Sequence, residues 1–64
     1  MNVFTVEQIK LVRDKDVWAQ ENNSYLSKIF ERIYSNAKDT SYGWESVAES
    51  DPSLFAQALS MALG

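Results

Sequence analysis

The sequence predicts an all-α protein, a small three-helix bundle, with a short fourth helix at 44–50 as its variant. Three observations carry this reading. Thr5 and Gln8 stand at the spacing of a helix capping box. Apolar side chains between Trp18 and Ala37 recur with helical period. Asp51-Pro52 joins a good N-cap residue to a proline at the first helical position, just ahead of an apolar run.

The first helix is expected over 6–15. Phe4 before the cap and Ile9 inside it have the spacing of a hydrophobic staple. Val6, Ile9 and Val12 form a stripe, with Leu11 to one side. Glu7 suits the positive end of the helix dipole, and Arg13 and Lys15 suit the negative end. Beyond Asp14 the phase changes. Asp16 would fall in the apolar stripe of a continued helix, and Val17 and Trp18 would point about 100° apart. A turn or kink at 14–16 is the simpler expectation, with either Asp capping a new helix.

The second helix is expected over 17–38. Trp18, Ala19, Tyr25, Leu26, Ile29, Phe30, Ile33, Tyr34 and Ala37 project onto one half of a helical wheel. Glu21, Ser24, Lys28, Glu31, Arg32 and Ser35 occupy the other half. Asn22 and Asn23 fall on the apolar side, so a break there is the alternative, with Asn23 or Ser24 capping a helix from Tyr25 onward. Residues 39–43 form a turn cluster. The segment 44–50 has Trp44, Val47 and Ala48 on one side. Neither Ser50 nor Asp51 is expected to be helical ahead of Pro52.

The last helix, 52–63, is apolar around most of its circumference. Ser53, Gln57 and Ser60 make its only polar stripe. Such a helix needs cover on several sides. Leu54, Phe55, Leu59 and Met61 are expected to meet Leu26, Ile29, Phe30 and Ile33 of the long helix, with Ile9 and Val12 of the first. Ala58, Ala62 and Leu63 are left as a surplus apolar face for a second copy or another protein.

Sixty-four residues make one small helical domain, near the lower size limit for folding alone. With no Cys and no His, disulfides, thiolate ligands and imidazole chemistry are excluded. Neither a basic flank nor a long apolar run marks the amino terminus, and no window reaches the roughly 20 apolar residues of a membrane span. The expectation is a cytoplasmic protein. The net charge of −3 is uneven: 1–38 hold all six bases and five acids, whereas 39–64 hold Asp39, Glu45, Glu49 and Asp51 and no base.

These features exclude most function classes. Nothing in the chain amounts to a catalytic, metal or cofactor motif, so a non-enzyme without cofactor or small-molecule substrate is expected. Asp14, Asp16 and Glu21 lack the glycine and later Glu of a calcium loop. Nucleic-acid binding is disfavoured by the acidic balance. Acids flanking the last helix argue against a membrane surface. A protein–protein interaction module remains: a small regulator, inhibitor or assembly factor, with a homodimer as one form. Its candidate contact residues are Tyr42, Trp44, Glu45, Glu49, Ala58, Ala62 and Leu63, with Tyr42 and Trp44 expected outside the core. One alternative is an acidic competitor for a partner's nucleic-acid site, using Asp39, Glu45, Glu49 and Asp51. A further one is a direct nucleic-acid binder using Lys10, Arg13, Lys15, Lys28 and Arg32.

Overall fold

The computed structural model describes residues 3–64. Among them the elements are α1 (Val6–Glu21), α2 (Leu26–Asn36), α3 (Trp44–Ser50) and α4 (Pro52–Leu63), without a strand. The result is an all-α bundle with the short helix present as α3.

α1 begins as its cap dictates. Thr5 Oγ1 accepts from the Gln8 amide at 3.1 Å, and Gln8 Oε1 accepts from the Thr5 amide at 2.9 Å. The expected turn at 14–16 is absent, and α1 runs unbroken to Glu21. Val12 and Ala19, one heptad apart, are both fully buried, so the continuous helix keeps its apolar stripe. Asp16 does lie on that side, but its carboxylate is satisfied there by the Trp44 indole. The longer helix turns Trp18 outward, 45% exposed, and Val6 also stays exposed. Lys15 Nζ covers the Trp18 ring at 4.2 Å.

The expected 17–38 helix is two helices, broken where the asparagines stand. Asn23 takes φ 51°, a left-handed conformation that Asn tolerates better than most residues. The Ser24 amide donates to the Ala19 carbonyl at 2.9 Å and the Asn23 amide to Gln20 at 3.3 Å. These two bonds make a Schellman closure, which satisfies carbonyls that a helix end otherwise leaves unpaired. Ser24 then serves the next helix, its Oγ accepting from the Leu26 amide at 3.2 Å. Tyr25, expected in the core, is 73% exposed, because the break moves it off the buried stripe of α2. Leu26, Phe30 and Ile33 form that stripe, with Ile29, Tyr34 and Ala37 partly buried beside it.

Gly43 makes the entry to α3 with φ 72° and ψ −143°, a region open essentially to glycine alone. The buried Ser46 hydroxyl accepts from the Tyr42 amide at 2.8 Å and fixes the turn. Ser50 is helical, against expectation. Asp51 alone absorbs the constraint from Pro52, with extended φ −145°, while its amide still donates to Val47 at 2.9 Å. Asp51 occupies the N-cap position of α4, but its side chain makes no capping bond.

α4 finds its cover inside the chain. It packs against α1, α2 and α3, which buries Phe55, Ala58 and Ala62 and partly buries Leu54, Leu59 and Met61. The surplus face expected at Ala58, Ala62 and Leu63 therefore does not exist as a unit. The two alanines, one turn apart, point into the core, and only Leu63 is outside, 70% exposed. Rings tie the layers together: Phe4 on Phe55 at 4.7 Å, and Trp44 against Phe30, Tyr34 and Phe55 at 5.9, 5.1 and 6.4 Å between centroids. No helix among the described residues is long and apolar enough to cross a membrane.

Candidate partner-binding groove

A groove of about 610 Å³ lies between α1, α2 and the turn into α3. Helical spacing builds two of its walls. Ile9, Arg13, Asp16 and Gln20 recur along one face of α1, and Ser27, Glu31 and Ser35 along one face of α2. Phe30 and Trp44 supply buried apolar surface beneath them. Tyr42 and Glu45 stand exposed at the turn.

Asp16 organises this site. Its Oδ2 accepts from Trp44 Nε1 at 3.2 Å, and its Oδ1 accepts from Gln20 Nε2 at 3.2 Å. Tyr34 packs edge-on to Trp44 and donates its hydroxyl to the Thr40 carbonyl at 3.4 Å, which holds the 37–43 loop against α2. At the start of that loop, Asp39 Oδ1 accepts from both the hydroxyl and the amide of Ser41. Those two bonds, the hydroxyl's first, hold the exposed Asp39 carboxyl below the usual carboxylate range. The groove carries three carboxylates, from Asp16, Glu31 and Glu45, against the one guanidinium of Arg13.

The sequence-predicted contact residues separate into three groups. Tyr42 and Glu45 come together on the groove, and Tyr42 is 81% exposed as expected. Trp44, expected outside the core, is only 5% exposed, because its indole fills the space among Phe30, Tyr34 and Phe55. It still lines the groove from below. Glu49 is exposed on α3 but is not a lining residue, and neither are Ala58, Ala62 and Leu63. Sequence reasoning missed Asp16, Gln20, Glu31 and Tyr34 as site residues. The signal for Asp16 was present: a lone acid in an apolar stripe marks either a break or a buried partner, and the partner is Trp44.

A second, flatter depression of about 550 Å³ lies between α2 and α4, with Ile29, Ile33 and Met61 beside Arg32, Gln57 and Ser60. Ser35 and Lys38 stand at the Ser-x-x-Lys spacing of some serine hydrolases. Here the Ser35 hydroxyl donates back to the Glu31 carbonyl at 2.7 Å. Among the described residues no group of three or more acids could hold a metal ion. No protein-family model, curated protein or solved structure matches the chain.

Proposed function

We propose that this chain is a non-enzymatic protein-binding module, a small regulator, inhibitor or assembly factor that docks a partner on the groove between α1, α2 and α3. The observation that carries the reading is Tyr42. A large aromatic stands 81% exposed, next to the Gly43 turn, beside a groove floored by the buried rings of Phe30 and Trp44. Exposed tyrosines over preformed pockets are common anchors of protein interfaces. The helices that shape the groove are fixed by the core, so docking requires little ordering of the chain.

The test is a photoreactive residue placed at position 42, compared with one at the exposed Lys28 of α2. Irradiation in the source cell is expected to give one discrete protein adduct from position 42 and none from position 28. Identical adduct patterns from the two positions, or none from either, would reject a dedicated docking face. A second copy of the chain is the alternative occupant. Light scattering over a concentration series separates it, since a self-adduct at position 42 must then come with a dimer mass.

A further inference from the structure

We infer that the groove receives a basic segment of a protein partner, with an arginine or lysine head set among Glu31, Glu45 and Asp16. This rests on the docking reading above and adds the chemistry of the occupant.

Three features of the molecule argue for it. First, the groove charge is unbalanced, with three carboxylates to one guanidinium. Phe30 and Trp44 form an apolar floor beneath those charges. Second, the acid nearest the floor is preoriented. Asp16 is held by Trp44 and Gln20, yet each of its oxygens accepts only one of these bonds. A carboxylate offers about four lone-pair sites, so acceptor capacity remains for an incoming N–H donor. Third, the exposed Tyr42 ring offers a face on which a guanidinium stacks. Arg13 sits one turn before Asp16 on α1, so the free cation-accepting side is that of Glu31 on α2 and Glu45 on α3. A basic segment is also the part of a nucleic-acid-binding protein that contacts phosphate, so occupancy here would make the chain a competitor for that contact.

The experiment is a nitrogen-15 NMR titration of the full chain with a short peptide of alternating glycine and arginine. A second titration uses the same peptide with citrulline in place of arginine. The arginine peptide is expected to shift the Trp44 indole and the amides of 42–45, and the citrulline peptide to leave them in place. The double variant Glu31→Gln, Glu45→Gln is expected to weaken arginine-peptide binding by at least about tenfold, the cost of a charge-assisted bond. Both residues are exposed, and an unchanged circular dichroism melt verifies that the variant folds. Equal binding of the citrulline peptide overturns the charge inference and leaves a neutral docking groove. Shifts confined to residues outside the groove, or none with either peptide, also overturn it. Crosslinking from position 42 decides the docking reading separately.

Discussion

The indole N–H of Trp44 on α3 donates to Asp16 Oδ2 on α1 at 3.2 Å, across 28 residues of sequence. This bond satisfies the one acid that falls in the apolar stripe of α1 and the one polar atom of the inward Trp44 ring. A double-mutant cycle with Trp44→Phe and Asp16→Ala measures it. Each single change is expected to destabilise the chain, and the coupling between them to be about 1 kcal/mol in urea titrations. Strict additivity would mean that the contact contributes nothing.

Phe55 is fully buried and meets both Phe4 and Trp44. Phe55→Ala is expected to cost about 3–5 kcal/mol. A core of this size supplies roughly the same amount. The variant should therefore lose its cooperative thermal transition by circular dichroism. A sharp melt only a few degrees lower would contradict this.

The two left-handed positions should respond differently. At Gly43 an added Cβ would be 3.9 Å from the Tyr34 hydroxyl, so space is not the obstacle. The backbone is, and Gly43→Ala is expected to cost about 1–3 kcal/mol. Asn23→Gly should be neutral or mildly stabilising, because φ 51° suits glycine at a helix end. Chemical denaturation of both variants checks the contrast.

Asp39 gives a pH signature. Its folded pKa is lowered, first by the Ser41 hydroxyl and then by the Ser41 amide. A lowered pKa means that the stabilisation is present above the ordinary carboxylate value. It is lost as pH falls through the lower folded one. Ser41→Ala removes the larger cause and should raise the Asp39 pKa toward the ordinary range, read by carbon-13 NMR of its carboxyl. An unmoved titration would show that the amide alone holds it.

The two tryptophans should differ in solution. Trp18 is half outside and Trp44 is buried. Trp18→Phe is expected to leave a blue-shifted emission that iodide barely quenches, with stability changed by no more than about 1 kcal/mol. Strong quenching of the remaining indole would contradict the inward placement of Trp44.

Much of the fold was legible because its signals are local. The Thr5–Gln8 box, the Tyr42-Gly43 turn and Pro52 at the start of α4 each act within a few residues. What escaped depends on distant partners. The 14–16 stretch reads as a break unless Trp44 is known to reach it. Asn22 and Asn23 offered the break only as the alternative, because the apolar half-wheel from Trp18 to Ala37 reads as one long helix. The covered face of α4 was equally hidden, since Ala58 and Ala62 reveal their neighbours only when three helices close around them. Of the groove, Tyr42 and Glu45 could be read from exposure-prone turn chemistry. Glu31 could not, because a charge on the polar half of a helix looks the same whether it faces open water or a cleft.

The ring contacts also join the two ends of the described chain. Phe4 precedes the first helix and Phe55 lies in the first turn of the last, yet they share one contact, and Trp44 needs Phe55 on one side as much as Phe30 on another. Without α4 the other three helices have no closed interior, so a chain cut before Pro52 would leave these aromatic surfaces open to water.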